Sequence, residues 1–194
     1  YALAQGDAPA VVATADGLMD RTLPPETLRS LAITLEVGGQ AELGALAEQL
    51  LSAGYTRCEQ VEGVGQFALR GGILDVFSPL MDQPVRCEFF DDEIDSMGAF
   101  DPGTQRRTRN VSSARILPAA EVLPHCAPGG LPGLADQLTA LAEKLAKKQK
   151  TEAIVQTLRE DAERLRSGAA PGAADRYLAA IYPTVTAGAH YLPP

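Results

Sequence analysis

Residues 54–90 are cut by glycine at positions 54, 63, 65, 71 and 72 and by proline at 79 and 84. The pieces left between these breakers are too short for stable helices, and they are rich in alternating apolar and polar residues. Residues 55–62, 66–70, 73–77 and 84–90 therefore read as successive short strands of an antiparallel meander. Upstream, residues 31–37 alternate as a half-buried strand, with Ile33, Leu35 and Val37 on one side. Between residues 41 and 51 the apolar side chains of Leu43, Leu46, Ala47 and Leu50 fall at helical spacing, and Gly54 is a C-terminal stop. A helix with one such face should cover a sheet, so the expected class is a small α/β module.

The flanks differ in character. Residues 10–14 are a short apolar run of strand type, ended after residue 21 by Pro24-Pro25. Pro124, Pro128, Gly129, Gly130 and Pro132 mark a linker, after which Leu134, Leu138, Leu141 and Leu145 form one amphipathic stripe. Ile154, Leu158, Ala162 and Leu165 form a second. A long helix and a helical hairpin are both compatible with these stripes, and the lack of Gly or Pro between Leu134 and Arg166 favours one long or slightly broken helix. Residues 169–174 read as a flexible connection, and residues 176–181 as a last helical turn or two.

Composition narrows the functional classes. The 194 residues are 45% hydrophobic and 22% charged, enough for one domain or two small ones with real cores. No apolar run has the length of a bilayer span, and no basic stretch leads into a signal core, so no membrane partner is expected. Cys58, Cys87 and Cys126 form no CxxC pair, which fits a reducing cytoplasm better than a disulfide framework or a zinc knuckle. Tyr1 and Pro194 suggest a segment of a longer protein. A net charge of −8 opposes independent binding to a nucleic-acid backbone and suits a protein that meets a basic partner surface.

Residue chemistry singles out one group. If Phe67 and Leu69 face the core, Arg70 stands on the open face of the sheet, followed by Gly71-Gly72 where the chain can turn. If Leu74 and Val76 are the buried pair of the next strand, Asp75 and Phe77 share the opposite face, and Phe77 is an exposed aromatic. Arg57 lies on the neighbouring strand. Two arginines and a phenylalanine on an acidic module have the composition of an interface anchor. The competing reading makes Phe77 core and pairs Arg57 and Arg70 with Glu59 and Glu88 in ordinary surface ion pairs.

The residues run Tyr55-Thr-Arg57-Cys-Glu-Gln-Val, Gly65-Gln-Phe-Ala-Leu-Arg70-Gly-Gly-Ile-Leu-Asp-Val-Phe77, Cys87-Glu-Phe-Phe-Asp-Asp-Glu-Ile-Asp95, Phe100-Asp-Pro and Thr104-Gln-Arg-Arg107. This series resembles the UvrB-homology module of the bacterial transcription-repair coupling factors, the Mfd family. UvrB has a similar module, with an Arg after the tyrosine that matches Tyr55 and a GTFRVRG strand in the place of residues 65–71. The first Arg of that strand is Ala68 here, which together with residues 70–75 and 104–107 favours the coupling factors over UvrB itself.

The resemblance implies a mainly antiparallel sheet with a covering helix, inserted in a partial, degenerate ATPase-like α/β domain and followed by a long helix or helices. It divides the chain into residues 1–24, the start of that domain; 25–112, the UvrA-binding module; and 113–194, a linker and helical return, with residues 117–121 and 177–193 resembling the return. It further implies a non-enzymatic region that recruits UvrA through Arg57, Arg70 and Phe77, masked in the parent protein by a C-terminal domain. DNA and RNA polymerase would be engaged only through other domains, and the parent would be an ATP-dependent DNA translocase of the cytoplasm.

Other chemistries find less support. There is no GxxxxGK[ST] loop for a triphosphate. Asp91, Asp92, Glu93 and Asp95 are consecutive or nearly so, and neighbouring side chains on a strand diverge, so neither a metal nor a cofactor is expected there. His125 beside Cys126 is a chance pair in a loop, and His190 has no evident partner. Lys144, Lys147, Lys148 and Lys150, close to Glu143 and Glu152, read as a solvated helix face. The remaining alternatives are a UvrB fragment, a DNA-binding structural module, or a metal-dependent hydrolase using the acidic cluster.

Overall fold

The computed structural model describes residues 3, 10–148, 152–184 and 186–192, so Lys150 lies outside the described residues. In chain order the elements are α1 (Ala15–Met19), β1 (Arg21–Thr22), α2 (Pro25–Ser30), β2 (Ile33–Glu36), α3 (Leu43–Ser52), β3 (Thr56–Arg57), β4 (Gln66–Arg70), β5 (Ile73–Val76) and β6 (Val85–Phe90). There follow β7 (Glu93–Phe100), β8 (Arg107–Asn110), β9 (Ser113–Ile116), α4 (Gly130–Lys147), α5 (Glu152–Arg166), α6 (Leu178–Ile181) and β10 (Thr186–Ala187). The chain divides into two compact units, Pro25–Glu121 and a second built from residues before 25 and after 121.

The first unit is a six-stranded sheet in the order β3-β4-β5-β6-β7-β8, with a second, two-stranded sheet of β2 and β9. From β4 to β6 neighbours are antiparallel, as the punctuation predicts, and β7 and β8 continue the antiparallel order beyond the expected strands. The first strand is not part of that meander: only Thr56 and Arg57 of residues 55–62 pair, and they run parallel to β4. β7, β8 and β9 were not foreseen from sequence. Asp91 takes a positive φ of 52°, so Asp91 and Asp92 form the turn of the β6–β7 hairpin, while Glu93 and Asp95 already stand on β7.

One face of the sheet is core. Leu69, Leu74, Cys87 and Met97 are opposite one another in register, as are Phe67, Val76 and Val85 in the next row. Against them packs α3 through Leu46, Ala47 and Leu50, each buried side chain of the leucine size contributing about 1.5–3 kcal/mol. Glu42 caps the helix, its carboxylate accepting from the Gly44 and Ala45 N–H groups at 2.9 and 2.8 Å. Gly54 at φ 86° ends it, with Tyr55 N–H donating to Leu50 O and Gly54 N–H to Leu51 O, a Schellman closure that sends the chain straight into β3. Tyr55 is buried, and its hydroxyl donates to Leu117 O while Leu117 N–H donates to Ser78 Oγ at 3.0 Å. These bonds tie the chain beyond β9 to the same unit.

The strand expected at residues 31–37 shortens to β2, with Leu35 buried and Val37 45% exposed. Residues 10–14 are not a strand; they are exposed, and Thr14 Oγ1 accepts from Gly17 N–H to cap α1.

In the second unit α4 and α5 are two helices, not one long one. Arg166, at the end of α5, donates to Asp136 and Thr139 near the start of α4, so the pair is antiparallel. Each helix has a one-sided stripe, Leu131, Leu134, Ala135, Leu138 and Ala142 on α4 and Val155, Leu158, Ala162 and Leu165 on α5. A straight helix would leave both stripes in water, whereas folding back lets each cover the other. The expected linker already contains the start of α4, because Pro132 sits in the first turn where no intrahelical N–H bond is lost. Lys144 and Lys147 lie in the last turn, where cations suit the helix dipole. Pairing of Arg21 with Ala187 and of Thr22 with Thr186 closes the unit.

Candidate functional site

The other face of the six-stranded sheet carries charge. In register across it lie Ala68, Asp75, Arg86 and Gly98, and beside them Arg70, Ile73, Glu88 and Ser96. Asp75 is fully buried, and two guanidinium groups satisfy it. Arg86 binds it side-on through one edge of its guanidinium, Nε to Oδ1 at 2.7 Å and Nη2 to Oδ2 at 2.8 Å. Arg70 adds Nη2 to Oδ2 at 2.7 Å and Nη1 to the Glu59 carbonyl at 3.3 Å. Such planar, charge-assisted contacts fix direction as well as energy.

The two arginines are not equivalent. Arg86 is 21% exposed, stands 4.7 Å over the Phe100 ring, and donates to Gln105 Oε1 at 3.3 Å. Gln105 in turn donates to the Val61 and Pro102 carbonyls at 3.1 and 2.7 Å. The Asp75 hydrogen bonds raise the Arg86 pKa, so the guanidinium stays charged. Arg70 is 45% exposed and stands at the rim of this pair. Further along the face Arg107 donates to Ser96 Oγ at 3.1 Å, and Ser96 donates to Glu88 at 2.8 Å.

The three residues singled out from sequence do not form one patch. Arg70 is on the open face, as expected. Arg57 is exposed and makes no ion pair among the described residues, but its register partner is Phe67, which places it on the opposite side of the sheet from Ala68 and Arg70. A parallel edge strand sets its facing by its own register, which the reading as an antiparallel strand missed. Phe77 is on the expected side but not exposed: it is 9% accessible and packs with Val61, Ala68 and Phe100. The loop before β4 folds over that part of the sheet and covers it. Among the described residues the large aromatic that is exposed is Phe90, at 76%, at the end of β6 beside the turn.

Nor do Glu59 and Glu88 pair with the arginines as the competing reading had it: Arg70 takes Asp75, and Glu88 takes Ser96. Sequence reasoning gave no role at this site to Asp75, Arg86, Gln105 or Arg107. For Asp75 a signal existed, since a carboxylate between Leu74 and Val76 on a short strand is unusual unless paired.

The remaining candidates have ordinary settings. Among the described residues no three His, Cys, Asp or Glu side chains converge to hold a metal. Burial raises the Cys126 thiol, the reverse of an activated thiolate. His190, expected to lack a partner, accepts at Nδ1 from the Ala187 N–H at 3.0 Å. No helix among the described residues is long and apolar enough to cross a membrane.

Comparison with known proteins adds identity to this geometry. The model of the UvrB interaction domain family matches residues 33–122, a stretch that contains the whole six-stranded sheet. The chain is 39% identical over 162 residues, 82% of its length, to the transcription-repair-coupling factor of Myxococcus xanthus, and 33% identical over 183 residues, 93% of its length, to that of Bacillus subtilis (strain 168). It spans 13% and 16% of those two proteins. Residues 33–122 therefore belong to the UvrB interaction domain family, and the chain that carries them is homologous over most of its length to the transcription-repair-coupling factors.

Proposed function

We propose that this chain is the UvrA-recruiting region of a transcription-repair coupling factor and itself performs no catalytic step. The observation that carries this reading is the family match over residues 33–122, inside which the Arg70, Asp75 and Arg86 network lies. Arg70 is the central contact, because it offers a guanidinium held at one edge and open at the other. Arg57 contributes from the edge strand, and Phe77 supports the face from beneath. Residues 1–24 start the degenerate ATPase-like domain into which the module of residues 25–112 is inserted, and residues 113–194 are the linker and helical return to it. The parent protein works in the cytoplasm as an ATP-dependent translocase, reaches DNA and RNA polymerase through other domains, and masks this face with a C-terminal domain. A UvrB fragment is the nearest rival, and the coupling-factor relatives favour the present reading.

The test is titration of purified UvrA with this chain and with its Arg70→Ala variant, both shown folded by circular dichroism. Binding by the parent and a loss of at least about 1 kcal/mol in the variant is the expected result. No binding by the folded parent would falsify the reading. Equal binding by this chain and by the intact parent protein would remove the masking step.

A further inference from the structure

We propose that Asp75 is a positioning residue for Arg70, and that Arg86 is the structural counter-ion that makes this possible. The inference rests on the reading of the open face as a partner surface. A long, half-exposed arginine normally samples many rotamers, and ordering it on binding opposes association. Asp75 removes much of that freedom in advance. It is fully buried and accepts from Arg70 at 2.7 Å, while the Glu59 carbonyl takes a second donor of the same group. The inner edge of the guanidinium is thereby spent on the protein, and the 45% that remains exposed faces outward in one orientation.

A buried carboxylate held by Arg70 alone would be a poor anchor, because its negative charge would be short of donors whenever the arginine moved. Arg86 prevents this. It occupies both carboxylate oxygens, and is itself fixed by the Phe100 ring and Gln105. Asp75 thus stays neutralised and stationary whatever Arg70 does. The division of labour follows from the exposures, 21% for Arg86 and 45% for Arg70. A partner carboxylate completes the outer edge of Arg70 without displacing the inner one, since a guanidinium has five N–H donors.

The side-chain Nε–H relaxation of Arg70 in the free, unmodified protein tests this without any partner, and Arg57, exposed and without an ion pair among the described residues, is the internal reference. Arg70 is expected to be nearly as rigid as the backbone and Arg57 mobile; equal mobility of the two overturns the proposal. With UvrA, Asp75→Asn is expected to weaken binding about tenfold in the parent background and less than about twofold when Arg70 is already alanine. The same fold-loss in both backgrounds would show a merely structural effect and overturn the positioning role. If the asparagine variant does not fold, the relaxation measurement decides alone. If folded parent does not bind UvrA at all, the recruitment reading fails while the relaxation measurement still tests Asp75.

Discussion

At Gly98 an added Cβ would lie 2.0 Å from Nε of Arg107, the mobile end of a long side chain that crosses the glycine on its way to Ser96. At Gly72 it would lie 2.9 Å from the backbone carbonyl of Phe89, which cannot swing aside. Gly98→Ala should therefore cost less than about 1 kcal/mol and free Arg107, whereas Gly72→Ala should cost about 1–3 kcal/mol. Urea midpoints of the two variants check the difference, and equal losses would mean that Arg107 is not free to move. The same scale shows what sequence could tell. The facing of Arg70 follows from Phe67 and Leu69 alone, because alternation is local. The covering of Phe77 does not, since Val61 and Phe100 reach it from loops and strands far along the chain. The side taken by Arg57 depends on which β4 residue it stands opposite, and neither residue 57 nor its neighbours encode that.

Among the elements, the helical hairpin makes the clearest claim. Leu138 and Leu158 are 2% and 5% accessible because each lies in the stripe that the other helix covers, while Leu141, one turn on, is 42% exposed. Leu158→Ala should cost about 2–5 kcal/mol and Leu141→Ala well under about 1.5 kcal/mol, as measured by thermal unfolding. Near-zero loss at Leu158 would restore the single long helix. The stripes were legible only in part: Leu134, Leu138, Leu158, Ala162 and Leu165 are buried as expected, but Leu141 and Ile154 are exposed, and Leu131, Ala135, Ala142 and Val155 complete the buried faces instead. Their mutual burial was not legible, because neither glycine nor proline marks the reversal, and the preference for a hairpin comes from tertiary burial that local signals do not report. Strands β7 and β8 were missed for a related reason. The four carboxylates at residues 91–95 hide a hairpin turn, and Ile94 and Met97 face the core across a bulged register that breaks strict alternation.

For the whole molecule, buried ionisable groups set a limit on alkali tolerance. Burial pushes the Cys87 thiol from 9.0 up to about 12 and the Tyr55 hydroxyl from 10.0 up to about 12. Both are neutral in the fold and ionise at ordinary values when unfolded. Below pH 9 they leave stability unchanged; above it the unfolded chain sheds protons that the folded chain keeps, so stability falls as pH rises toward 12. Cys58 and Cys126, also raised by burial, add in the same direction. Cys87 and Tyr55 each cost up to about 1.4 kcal/mol per pH unit between their ordinary and raised values. Urea midpoints from pH 8 to 11 should decline from about pH 9, and less steeply in Cys87→Ala; an unchanged slope in the variant would mean that Cys87 ionises freely in the fold.

The pairing of Arg21 with Ala187 has a consequence for synthesis. The second unit draws its first strand from the beginning of the chain and its last from the end, with the whole of Pro25–Glu121 between them. A ribosome delivers that inserted stretch complete before it has made α4. The module can thus finish folding while β1 still waits for its partner, since domains fold as units as they emerge. Birth order alone lets Pro25–Glu121 finish before the unit that brackets it.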